Sequence, residues 1–207
     1  LRKFGIKLVI PGEIIYYAPT PNDFPTQEKD MLKQIIECAG RNNVLGITSY
    51  DEPVFRNLLD VSRLLYQRVK TIEPSLPVFM IHGPILATII EEERERPITN
   101  AEVAYYLKQV KKYSRFADVV GFDAYPIPPE LAQVATPYSD GAAAAYQKVL
   151  PDYLDWLKKH IARKSYMFAL QAFSYENLGE SWLGAPTKDS QRPSKVELGE
   201  MIHLTKE

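Results

Sequence analysis

The residues best placed to do chemistry stand where short apolar runs end. One run closes on Tyr50-Asp51-Glu52-Pro53, a second on His82-Gly83-Pro84, a third on Phe122-Asp123-Ala124-Tyr125-Pro126 and a fourth on Gln171-Ala172-Phe173-Ser174-Tyr175. Each tip follows an apolar body: Val44-Leu45-Gly46-Ile47, Val78-Phe79-Met80-Ile81, Val119-Val120-Gly121-Phe122 and Met167-Phe168-Ala169-Leu170. Two carboxyl groups in one mouth support general acid–base chemistry, one kept protonated to donate and the other ionised to accept or attack. Glu52 is the candidate acid, because repulsion from Asp51 and partial burial would both favour its neutral form. Asp123 is the candidate second carboxylate, with Glu13, Glu176 and Glu180 as further carboxylates beside strand ends. The plain alternative for Asp123 is a structural acid bonded to loop backbone. Side chains alternate along a strand, so one of Asp51 and Glu52 can be structural.

Several other chemistries find no support. The three histidines, His82, His160 and His203, are scattered, and two fall on expected helices, so no metal site is expected. No glycine-rich phosphate loop occurs, which argues against nucleotide cofactors, and no cofactor is expected. A formal net charge of −1 provides no field to draw nucleic acid. No run reaches the roughly 18 apolar residues of a membrane-spanning helix. At 207 residues and 45% hydrophobic content the chain is expected to form one soluble domain with an ordinary core. The single cysteine, Cys38, lies among Ile35, Ile36 and Ala39 and is expected as a buried thiol. It leaves the compartment open, a secreted or extracytoplasmic location included. Oligomeric state is not readable.

These tips need elements to hold them. Short β-branched runs at Phe4–Ile10, Val44–Tyr50, Val78–His82, Asp118–Tyr125 and Tyr166–Phe173 alternate with amphipathic stretches, the pattern of parallel strands joined by helices. Helices are expected over Gln27–Gly40, Val54–Ile72, Thr99 to about Tyr113, Gly141–Ala162 and from near Ser194 onward. Thr99 and Glu102 are spaced as a capping box. The charge run Glu91–Arg96 is expected as a solvated face. Strand starts recur about every 30 to 50 residues, the beat of βα units, whereas a closed barrel of eight takes about 250 residues. The expected fold is therefore α/β, a TIM-type (β/α) barrel incomplete in this chain and part of a longer one, or completed by a partner.

The ordered set of tips resembles the glycoside-hydrolase-like (β/α)8 barrels. Val44–Tyr50 with Asp51-Glu52-Pro53 looks like the fourth barrel strand, Ala117–Pro126 like the sixth and Tyr166–Phe173 like the seventh. The first two strands and the last are absent by this register. The resemblance implies a carbohydrate substrate and hydrolysis by two carboxyl groups. Retaining members carry an Asn-Glu pair on the fourth strand and a Glu nucleophile on the seventh. Here Glu52 matches the acid/base, Asp51 replaces the Asn, and Gln171 stands where the nucleophile would be. An amide cannot act as that nucleophile, so a glycan-binding barrel without turnover is the competing expectation. Tyr50, Asp51, His82, Tyr125, Gln171 and Trp182 are the expected sugar-contacting residues, Trp182 because an indole in a Gly- and Pro-containing loop has few packing roles. His82 is equally readable as a satisfied structural histidine.

Overall fold

The computed structural model describes residues 7–18, 20–25, 31–91, 94–127, 132–171 and 193–206. The strands are β1 (Leu8–Pro11), β2 (Val44–Thr48), β3 (Val78–His82), β4 (Ile85–Leu86), β5 (Thr88–Glu91), β6 (Arg94–Pro97), β7 (Val119–Ala124), β8 (Val134–Ala135) and β9 (Ser165–Leu170). The helices are α1 (Gly12–Ile15), α2 (Met31–Ala39), α3 (Leu59–Ile72), α4 (Asn100–Tyr113), α5 (Tyr146–His160) and α6 (Lys195–Leu204). Five strands form a parallel sheet in the order β1-β2-β3-β7-β9. The mixed α/β expectation is met. Among the described residues the sheet runs from β1 to β9 as an open order.

The chain divides into two compact units, residues 1–82 with 110–120, and residues 83–109 with 121–207. In the first, β1 and β2 pair through Ile10↔Ile47 and Pro11↔Thr48, and β2 meets β3 through Ile47↔Val78 and Thr48↔Phe79. Behind them α3 turns Val61, Leu65 and Val69, four residues apart, into a core with Ile10, Leu32, Ile47 and Val78. Asp118 fastens the next strand segment to β3. Its carboxylate accepts the Val78 N–H at 2.8 Å and pairs with Lys70 at 2.7 Å.

Two glycines in this unit are set by close approach. A Cβ on Gly46 would lie 2.0 Å from the Phe79 ring, so that ring lies over bare backbone. A Cβ on Gly12 would lie 2.1 Å from the Thr48 carbonyl oxygen, and the Gly12 N–H reaches Thr48 Oγ1 at 3.3 Å. The lack of a side chain thus lets α1 settle directly on the end of β2.

The second unit builds its core on α5. Tyr153 packs on Phe122 with ring centroids 4.4 Å apart, and Trp156 meets the same ring edge-on at 6.3 Å. The Tyr153 hydroxyl accepts the Ile85 N–H and donates to the Ala135 carbonyl, so one buried phenol supports both strands of the β4–β8 pair. Burial pushes its pKa strongly upward. Helix α4 begins as the spacing predicts, with the Glu102 carboxylate accepting the Thr99 N–H at 2.9 Å and Thr99 Oγ1 accepting the Glu102 N–H at 3.3 Å. Ser194 and Glu197 form the same box at the start of α6.

Two expectations are corrected. Cys38 is exposed, because α2 turns Leu32 inward and leaves Cys38 on its outer side. Glu91 and Arg94–Arg96 of the charge run lie on β5 and β6, which pair antiparallel, and Glu95 is exposed. Arg96 grips Glu102 with two hydrogen bonds of 3.0 and 2.7 Å, which, with the Thr99 bonds, hold the Glu102 carboxyl down at about 2. Helix α3 starts at Leu59 rather than Val54, because residues 53–57 turn. No described helix is long and apolar enough to cross a membrane.

Candidate functional site

The tip of β2 is held in a tight turn. After Thr48 the chain passes through buried Ser49 and Tyr50 to exposed Asp51 and half-buried Glu52. Glu52 has φ +39°, the left-handed region, and is followed by Pro53. Both facts disfavour the conformation: a side chain with a Cβ crowds the backbone at positive φ, and a proline pushes the preceding residue towards extended backbone. Strain of this kind is of order 1–3 kcal/mol, about that of other residues held in sparsely populated backbone regions at functional sites. The turn that contains it is closed from within. The Glu52 carbonyl accepts the Phe55 N–H at 3.1 Å, and the Pro53 carbonyl accepts the Leu58 N–H at 2.9 Å.

A cleft of about 250 Å3 opens at this tip, with Ile14, Tyr50, Phe79 and Ile81 as apolar walls and Glu13 and Asp51 as carboxylates. Glu13 is fixed on both oxygens. Oε2 accepts the Asp51 N–H at 3.2 Å and Oε1 meets Arg56 Nη1 at 2.6 Å. The ion pair is partly exposed and is worth at most about 1 kcal/mol; its main effect is on position. Tyr50 is 2% exposed, and its hydroxyl donates to the Tyr16 carbonyl. Burial, then the Glu13 carboxylate, push its pKa up to about 12, so the phenol stays neutral and its proton is committed to backbone. Tyr50 therefore has no hydroxyl proton to donate into this cleft.

No family model matches the chain, and no curated protein matches it. Among solved structures it is similar to a glycosyl hydrolase family 2 member from Bacteroides cellulosilyticus DSM 14838, at 18% identity and a TM-score of 0.33, over 79% of this chain and 20% of that one. This chain thus spans a fifth of that protein's length. A likeness of that size decides neither fold nor chemistry.

The other predicted residues fall as follows. His82 is fully buried at the end of β3, with Nε2 3.2 Å from Ser114 Oγ. Ser114 donates its own proton to the Val110 carbonyl at 2.7 Å, so Nε2 is the protonated nitrogen in this pair. Burial lowers the His82 pKa to about 3, and the ring is neutral. This favours the structural histidine over the substrate donor. Gln171 is likewise buried, and both ends of its amide bind the Ile127 backbone. Asp123 is 7% exposed on β7, and its charge contributes to the upward shift of Tyr153. Tyr125 is half-buried just beyond it. Tyr50, Asp51, Glu52 and His82 belong to the first unit, and Asp123, Tyr125 and Gln171 to the second. Trp182, Tyr175, Glu176 and Glu180 lie outside the described residues.

Within the first unit the structure brings Asp51 and Glu13 together and leaves His82 in the core. Arg56 is the participant that the sequence did not disclose. Its signal was its position four residues after Glu52, which acquires meaning only once a turn rather than a helix occupies residues 53–57. Among the described residues no group of three or more His, Cys, Asp or Glu side chains is placed to hold a metal ion.

Proposed function

We propose that this chain is the larger part of a glycoside-hydrolase-type (β/α) barrel, with Glu52 as the general acid that protonates the departing sugar oxygen. The observation that carries the reading is the backbone of Glu52. A glutamate held at φ +39° before a proline, at the carboxyl end of a parallel strand, keeps a costly conformation that glycine would adopt freely. Strand ends of parallel α/β folds are where reacting side chains converge. On this reading the five parallel strands correspond to the third to seventh of the barrel, and Asp123 supplies the second carboxylate. The substrate class is an oligo- or polysaccharide.

The test is release of reducing sugar from a panel of glycans by the purified full-length protein. Glu52→Gln is expected to lower the rate by about 10²-fold or more with an unchanged melting temperature, and Asp123→Asn to do likewise. A rate unaffected by Glu52→Gln would remove Glu52 from the chemistry.

A second reading is favoured by Gln171, whose amide is used on the Ile127 backbone at the position where the resemblance puts a nucleophile. On that reading the chain binds glycan without turning it over. Calorimetric titration separates the two, since saturable binding that survives Glu52→Gln, with no sugar released, supports the binding module alone.

A further inference from the structure

Glu13 is used neither as the acid nor as the second carboxylate, yet both its oxygens are engaged at the tip of β2. Oε2 takes the Asp51 N–H at 3.2 Å and Oε1 the Arg56 guanidinium at 2.6 Å. The two groups it holds bracket Glu52, one residue before it and four after. A non-glycine residue persists at positive φ only where its surroundings over-determine it, and here one carboxylate spans the turn that contains it. The reach depends on Gly12, whose missing Cβ lets α1 lie against Thr48 and delivers Glu13 to Asp51.

We infer that Glu13 is a positioning residue, bridging Asp51 and Arg56 so that the 51–56 turn holds Glu52 in its left-handed conformation. This rests on Glu52 being the acid of the proposed hydrolase. An incidental surface ion pair would engage Arg56 alone; Glu13 also accepts the backbone N–H next to Glu52, which couples it to the turn itself.

The experiment follows the Glu52 carboxyl by nuclear magnetic resonance in the full chain, as wild type, Glu13→Gln and Glu13→Ala, together with hydrogen exchange at the Asp51 amide. Glu13→Gln keeps an acceptor oxygen for the Asp51 N–H, whereas Glu13→Ala removes it. The expected result is about tenfold faster exchange in Glu13→Ala and a Glu52 titration midpoint displaced by about half a pH unit or more, with a smaller displacement in Glu13→Gln, whose one acceptor oxygen can serve the Asp51 N–H but not Arg56 as well. Equal displacement in the two variants would report only the loss of a charge and would overturn the inference, as would an unchanged midpoint in both. Should Glu13→Ala fail to fold, Glu13→Gln and Arg56→Gln decide. Midpoints displaced in the same direction in the two variants support the inference, because loss of a negative and of a positive charge alone would displace them oppositely; any other pairing overturns it. If glycan hydrolysis is found, Glu13→Ala lowers kcat with little change in KM. A chain that releases no sugar sinks the hydrolase reading, while the resonance measurements still decide the role of Glu13.

Discussion

Gln171 holds Ile127 by both ends of its amide, Nε2 donating to the carbonyl at 2.6 Å and Oε1 accepting the N–H at 3.0 Å. The clasp fixes the chain just beyond Asp123 and Tyr125, and it needs a side chain that is donor and acceptor at once. A carboxylate cannot donate to the Ile127 carbonyl. Gln171→Glu is therefore expected to destabilise the protein by about 1–3 kcal/mol, the penalty for a buried group left unsatisfied, and to bring no gain in sugar release. Urea unfolding checks the first outcome. A variant as stable as wild type would mean the clasp is dispensable.

Glycine at position 52 sets strain against chemistry. Glu52→Gly relieves the positive φ and is expected to raise the unfolding free energy by roughly 1 kcal/mol, while removing the proposed acid. Stability rising as activity disappears is the pattern of a residue kept for function. Thermal unfolding that moves downward instead would show that Glu52 is comfortable where it is.

His82 makes stability depend on pH with a definite sign. Its pKa is about 3 in the folded protein against an ordinary 6.5, so the unfolded chain binds the proton first. The contribution is complete above about pH 6.5 and drains away as pH falls towards 3, by up to about 1.4 kcal/mol per unit. Urea midpoints at pH 7.5, 6 and 5 should fall in that order, and His82→Gln should flatten the slope. An unchanged slope in the variant would assign the acid sensitivity to other groups.

Gly12→Ala tests how tightly α1 is seated. The added carbon meets a backbone oxygen rather than a flexible side chain, so the helix must move. A loss of about 1–3 kcal/mol is expected, as for other overpacked sites, with faster amide exchange at Asp51 because Glu13 is carried away from it. Full protection at Asp51 in this variant would uncouple Gly12 from the site.

How much of this could be read in the residues follows from what each element depends on. Val78–His82 and the Thr99–Glu102 box are local patterns, and they form as their spacing predicts. Helix α1 is four residues long, too short to show a period, and it exists because Gly12 fits against Thr48, 36 positions away. The pairing of β5 with β6 was hidden by its charges, since Arg96 is held by Glu102 rather than by an apolar face. At the site, Glu52 and Asp51 were visible as strand-tip carboxylates. The Tyr50 hydroxyl bound to Tyr16 and the Gln171 clasp are both settled by partners at a distance, which no local spacing encodes.

The contact between Gly46 and Phe79 carries a consequence for the protein's ancestry. Because the ring occupies the place a Cβ would take, position 46 is not free to drift. A larger residue at 46 would meet the Pro77 carbonyl oxygen at 2.7 Å even after position 79 had shrunk, so the backbone as well as the ring would have to give way. Related sequences should accordingly keep glycine at 46 even where position 79 is not aromatic.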